Sequence, residues 1–142
     1  EIYSRYEILL ENYVKTIQIE AKTMKEMLSK DFLPAVGSYG ASVADQAMAM
    51  KAFAPSLSTD SAQALVTSLG KTYEEISKGL GDLEQEIQTA GSMDNMQEAA
   101  DYCHKTLLST MDELRRAADE AETKIPEEEL PYPTYDALLF SV

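Results

Sequence analysis

Two apolar stripes lie back to back around Gly91. Upstream, Val66, Leu69, Tyr73, Ile76, Leu80, Leu83, Ile87 and Ala90 recur at spacings of 3, 4, 3, 4, 3, 4 and 3. Downstream, Met96, Ala100, Cys103, Leu107, Thr110, Leu114, Ala117 and Ala121 recur at 4, 3, 4, 3, 4, 3 and 4. A repeat near 3.5 residues keeps one narrow seam turned toward a neighbouring helix, so each stripe demands a partner. The short break at Gly91-Ser92-Met93 makes the two helices antiparallel neighbours. Asp60 with Gln63, and Asp94 with Gln97, form capping-box patterns that predict the two helix starts. Gly91 is the expected C-cap of the first of them. Pro126 stops the second near Lys124 or Ile125.

A further helix is predicted from about Ile2 to Phe32, on the order of 45 Å long. Its inward positions are Tyr6, Leu10, Tyr13, Ile17, Met24 and Leu28, with Ile8, Leu9 and Val14 widening the face. Glu20 falls where the seam asks for an apolar residue. A drift of the stripe from 3.5 to 3.6 periodicity is the simpler account, and a polar contact to a partner outside the chain is the other. Pro34 follows, and the pattern permits either one long kinked helix through it or two separate helices. Val36, Tyr39, Val43, Ala47, Met50 and Phe53 then resume helical spacing, beside a small-residue face of Gly37, Gly40, Ala41 and Ala44. Pro55 to Thr59 is a turn.

The end of the chain reads differently. Three prolines (Pro126, Pro131 and Pro133) preclude a regular helix, yet Tyr135, Leu138, Leu139, Phe140 and Val142 are too apolar for a solvated tail. Residues 126–142 are expected to fold back on the bundle or dock on a neighbour. The predicted fold class is all-α: one domain over residues 1–142, an antiparallel bundle of three to four long helices. The first is kinked or broken at Pro34, packing is coiled-coil-like, and an extended C-terminal tail follows.

Charge changes the picture of partners. The net charge of −13 is uneven: residues 1–34 carry −1, residues 35–73 carry zero, and residues 74–142 carry −12. An anionic half of that kind repels phosphate backbones and anionic lipid, which argues against nucleic-acid and membrane-surface binding. No apolar run approaches the ~18 residues of a membrane span, and no signal peptide is visible. Cys103 is the only cysteine, so an internal disulfide is impossible, and it sits on an apolar stripe where a thiol behaves as a small hydrophobe. A cytoplasmic location is the expectation. The chain begins at Glu1, already in helical pattern, and reads as a fragment of a longer polypeptide.

Candidate chemistry is sparse. Gly70-Lys71-Thr72 resembles the end of a phosphate-binding loop, but Leu65 stands where the loop requires glycine, and the triplet lies within a predicted helix. Gly79-Leu80-Gly81 lacks the third glycine of a dinucleotide fingerprint, with Glu84 in its place; packing or a local bend is the simpler role. Asp101 and His104 share a helix face, yet His104 is the one histidine, and a bundle metal site needs two Glu-x-x-His units. Cys103 and His104 are adjacent and point apart, which weakens a thiolate–imidazole pair. The acid pairs Glu74-Glu75, Asp112-Glu113 and Asp119-Glu120 are solvated neighbours, and Arg115 and Arg116 pair locally with Asp112, Asp119 and Glu120. His104 alone keeps open a histidine phosphotransfer module, although Lys105, Thr106, Leu107 and Leu108 lack the small residues such a module places after its acceptor. The catalytic, cofactor-binding and metal-ligating sets are each predicted to be none.

The two ends of the chain carry a resemblance. Ser4-Arg5-Tyr6-Glu7, Glu11-Asn12-Tyr13 with Lys15, Ile19-Glu20-Ala21 with Met24, and Leu33-Pro34-Ala35 form one set. Met111 with Leu114-Arg115, Tyr132-Pro133-Thr134-Tyr135 and Leu138-Leu139-Phe140 form the other. Together they resemble the C-terminal helical region of type III glutamine synthetases. That resemblance implies a parent enzyme that condenses glutamate and ammonia at the expense of ATP, with divalent metal (Mg or Mn), in a large homo-oligomer. It also implies reacting residues upstream of Glu1, a fragment inactive alone, and as partners the catalytic domain of the same chain and neighbouring subunits. The rival reading is a stand-alone coiled-coil interaction module.

Overall fold

The computed structural model describes residues 2–132, with side chains from residue 4 onward. Among these the chain is helical, without strands. Helix α1 (Ile2–Met27) passes through a five-residue π turn (Leu28–Phe32) into α2 (Leu33–Phe53). Met27, Phe32 and Leu33 at the junctions all keep right-handed helical dihedrals. Of the two readings that Pro34 permits, the chain takes the continuous one, a rod of roughly 75 Å.

The π turn explains how. A proline in a helix lacks the N–H for the i−4 bond, and its ring crowds that carbonyl. Here the Leu33 N–H already reaches five residues back, to the Leu28 carbonyl. The ladder has therefore widened just ahead of Pro34, and the helix continues past it.

Helix α3 (Asp60–Ser92) runs back along this rod. Lys25 pairs with Glu84 at 3.2 Å, and a Cβ at Gly37 would stand 3.6 Å from the Tyr73 ring. The last helical stretch is α4 (Met96–Tyr102), a second π turn (Cys103–Leu107) and α5 (Leu108–Glu122). It is antiparallel to α3: Gly79 lies against Leu114, and Lys124 donates to the Ser68 hydroxyl. It runs parallel to α1, with Tyr6 donating to Gln97 at 2.7 Å and Tyr13 facing His104. The all-α antiparallel bundle expected from the stripes is thus the observed architecture. Three helices lie side by side over most of its length, and α2 rests chiefly on α3.

The core follows the stripes closely. Leu69, Ile76, Leu80, Leu83, Ile87 and Ala90 of α3 are buried against Ala100, Cys103, Leu107, Leu114, Ala117 and Ala121. Val14, Ile17, Ala21, Leu28, Phe32 and Val36 are buried along the first rod. Glu20 is exposed and Ala21 fully buried, so the seam drifts by one residue there. Tyr73 is another departure: Thr72 turns inward in its place and satisfies its hydroxyl on the Ser68 carbonyl at 3.2 Å. Tyr6, Ile8, Leu9, Met50 and Phe53, expected inside, are exposed. Met50 and Phe53 lie at the end of α2, where the bundle has thinned to a two-helix hairpin.

The caps fall one residue from expectation. Helix α3 begins at Asp60 with Thr59 before it; the Asp60 N–H donates to the Ser58 hydroxyl, and Gln63 Nε2 donates to Thr59 Oγ1 at 2.8 Å. The Ser58 hydroxyl satisfies the amide that an Asp60 cap would have left outside the helix. Asn95, rather than Asp94, caps α4 by accepting the Glu98 N–H at 3.0 Å. Gly91 lies inside the last turn, and α3 ends when Met93 steps into extended backbone. No described residue has positive φ, so a left-handed glycine cap is not used. The last helical stretch stops at Glu122, two to three residues earlier than expected.

Beyond a short 3-10 turn (Glu127–Glu129), Leu130 and Tyr132 return to the bundle. The Tyr132 ring stacks on Phe32 with centroids 6.3 Å apart. The expected docking of Tyr135, Leu138, Leu139, Phe140 and Val142 lies outside the described residues.

The two glycines of Gly79-Leu80-Gly81 have opposite roles. A Cβ at Gly79 would stand 2.6 Å from Leu114 Cδ2, whereas nothing lies within 4 Å of one at Gly81. Gly81→Ala is expected to stabilise the bundle by about 0.5–1 kcal/mol through backbone entropy. Gly79→Ala is expected to destabilise it by about 1–3 kcal/mol, because Leu114 is buried and has little room to move; urea unfolding of the pair checks the two signs. Burial, with Glu122, Asp31 and Asp119 nearby, pushes the Tyr132 phenol up to about 12 from its ordinary 10. Below pH 10 the phenol is neutral in both states; between 10 and 12 the unfolded chain ionises more readily, so alkali favours unfolding. Stability should fall over that window, and Tyr132→Phe should lessen the fall in denaturant titrations at pH 9 and pH 11.5.

Candidate functional site

The residues singled out for chemistry are dispersed by the fold. Gly70-Lys71-Thr72 lies in the middle of α3, and the Thr72 hydroxyl is spent on a backbone carbonyl. Cys103 is fully buried while His104 beside it is exposed, so the two face apart. Burial alone pushes the Cys103 thiol above its ordinary value, and an uncharged thiol is a poor nucleophile. Asp101 accepts from Gln97 at 3.3 Å, and His104 Nδ1 lies 3.4 Å from the Tyr13 hydroxyl on α1. Asp112 pairs with Arg115 and Glu120 with Lys124, all local and largely exposed. Among the described residues no group of three His, Cys, Asp or Glu is placed to hold a metal ion. No described helix is long and apolar enough to cross a membrane.

Among the described residues three carboxylates are perturbed: the exposed Glu26 is lowered by its hydrogen bond to Lys30, and two others are raised. Burial raises Glu86, whose Oε1 is shut from solvent without a partner, with Asp82 and Glu113 adding like charge. Burial likewise raises Glu122, beside Asp119. The Thr110 hydroxyl beside Glu86 opposes its rise, and Tyr132 lies near Glu122.

What the bundle presents instead is apolar surface. The hairpin end carries Met48, Met50, Phe53 and Leu57, of which Phe53 is 93% and Met48 71% exposed. A groove of about 380 Å³ beside it is walled by Tyr39, Val43, Met50, Leu57 and Leu65. A second groove, about 490 Å³, lies between α1 and α5 and is mixed, with Ile19, Met24 and Met111 beside Glu20, Arg115 and Asp119. The stripes place Met50 and Phe53 inside, so the sequence pattern misses the hairpin end. The signal that finds it is position: Phe53 stands two residues before Pro55, where α2 has outrun its partners.

Residues 1–51 match the family model of the glutamine synthetase C-terminal domain. They form α1, the π turn and most of α2, the rod on which the rest is built. Over its whole length the chain is 42% identical to a glutamine synthetase of Butyrivibrio fibrisolvens. It is 26% identical to a type-3 glutamine synthetase of Dictyostelium discoideum and 24% to a glutamine synthetase of Bacteroides fragilis (strain YCH46), each over 99% of the chain. The chain belongs to the glutamine synthetase C-terminal domain family. It spans about a fifth of the length of each of these relatives (20%). In this glutamine synthetase C-terminal domain the polar side chains singled out above are scattered and the thiol is buried.

The buried thiol gives a direct check. Cys103 should react with a disulfide reagent about a thousandfold more slowly than a free thiol in native buffer, and at the free rate in 6 M guanidinium, because access requires opening of the core. A native rate near that of free cysteine would place the side chain outside it.

Proposed function

We propose that this domain is a structural appendage of a type III glutamine synthetase, packing its apolar hairpin end on the catalytic body or on a neighbouring subunit. The ATP-dependent condensation of glutamate with ammonia, and the divalent metal it uses, belong in this reading to the remainder of the parent. The family match supports the first half. One observation carries the second: Met48, Met50, Phe53 and Leu57 stand exposed together at one end of a bundle whose reactive side chains are dispersed. Clustered apolar surface of that kind marks an interaction site. Chemistry favours a protein partner, since the flanking segment 35–73 is electrically neutral within a chain of −13.

The test is made in the full-length enzyme. Replacing Met48, Met50 and Phe53 together by Ser removes three side chains, each stabilising a buried contact by about 1.5–3 kcal/mol. Because all three are exposed within the domain, its own helicity should survive. The expected outcome is a lower melting temperature or partial disassembly by size-exclusion chromatography. His104→Ala is expected to leave kcat and KM within about twofold, an effect under 0.5 kcal/mol. An unchanged melt and elution for the triple variant would defeat the docking role; a collapse of turnover in His104→Ala would defeat the absence of chemistry.

A further inference from the structure

The core stripes run on past the point where the third layer of the bundle stops. Val36 of α2 and Leu69 of α3 are buried. Toward the hairpin the same two faces continue at helical spacing, as Tyr39, Val43, Ala47 and Met50 on α2 and as Leu65, Ala62 and Ser58 on α3. Lys124, just past the end of α5, touches Ser68. The backbone then turns back, since Tyr132 stacks on Phe32. Beyond Ser68 the stripes are left half-open: Tyr39 and Leu65 are half-buried and Met50 is 59% exposed.

The gap is the groove of about 380 Å³ between α2 and α3. Lys51 is the one charged side chain in its wall, and it donates to the carbonyls of Pro55 and Leu57 at 3.5 and 3.0 Å. The Ser58 hydroxyl accepts the Asp60 N–H at 3.1 Å, and Ser61 completes the polar set. With its polar groups largely engaged, the wall offers an incoming group apolar contact and little directional bonding. That favours side chains over a small polar ligand. Length selects the shape of what enters: from Tyr39 to Met50 the α2 wall rises about 17 Å, or three turns of helix. Nearer the core, α5 already covers this stripe of α3 as a helix. Two chains of charge −13 repel each other, which disfavours a second hairpin as the cover.

We propose that the groove takes one amphipathic helix of about three turns, supplied by protein outside residues 1–142, lying in line with α5 and continuing its layer across the hairpin. The occupant presents aliphatic or aromatic residues three or four apart along one face and no charge on that face. This rests on the docking role given above to the hairpin end. It goes further by fixing the face used, which is Met50 and the groove and not Met48 on the other side of α2.

Replacing Leu65 by its diazirine analogue in the full-length enzyme reads the occupant directly. Photolysis and peptide mapping should give crosslinks to one segment outside residues 1–142, at positions three or four apart. Crosslinks to the hairpin of a second copy, to residues 133–142 or to positions without helical spacing would overturn the proposal, as would reaction with water alone. Ala62→Phe should fill the groove and cut the crosslink yield about tenfold, whereas Thr67→Phe, on the far side of α3, should leave it within about twofold. Equal yields in the two variants would contradict the groove as the seat. The outcome also separates this proposal from the docking role it rests on. If the triple Ser variant disassembles while Leu65 reacts only with water, docking stands and the helix falls; if that variant assembles and melts unchanged, both fall.

Discussion

The inward face of α3 is the constraint on which the rest of the bundle depends. It packs against both α1 and α2 on one side and α5 on the other. Leu69, Ile76, Leu80, Leu83 and Ile87 must therefore serve two neighbours along one stripe. An oily edge shared in that way closes the space between the helices, and Ile76 and Leu83 retain no exposed area.

Unequal helix lengths then leave apolar surface exposed at one end. The first rod is roughly 75 Å long, and α3 at 33 residues is roughly 50 Å. The last helical stretch ends at Glu122, opposite the first third of α3, where Lys124 reaches Ser68. Past that point α2 and the start of α3 have only each other, and their outer apolar residues are left without cover. The π turn before Pro34 is what keeps α2 in line with α1, so that it runs on as the hairpin.

Much of this was legible in the residues. Heptad spacing identified both helices around Gly91 and nearly every buried position on them, because burial on one face imposes periodicity directly. Capping was read one residue off at Asp60 and Asp94. Neighbouring Ser58, Thr59 and Asn95 offer the same kind of oxygen, and spacing alone does not choose among them. Tyr73 and Glu20 mark where a strict 3.5 repeat gives way to the 3.6 of a straight helix. Pro34 left two readings, since a π turn carries no composition of its own. The exposure of Met50 and Phe53 was hidden for a different reason: periodicity tells which side of a helix is oily, not whether a partner extends that far. The family, by contrast, was visible at the two ends of the chain, and residues 1–51 carry it in the family match.

A high-resolution cryo-EM map of the full-length enzyme tests the central reading most directly. Met48, Met50, Phe53 and Leu57 should be buried against another part of the parent assembly, with nucleotide, metal and amino-acid substrates bound away from α1 to α5. A hairpin end standing free in solvent, or a substrate held by side chains of this bundle, would contradict it.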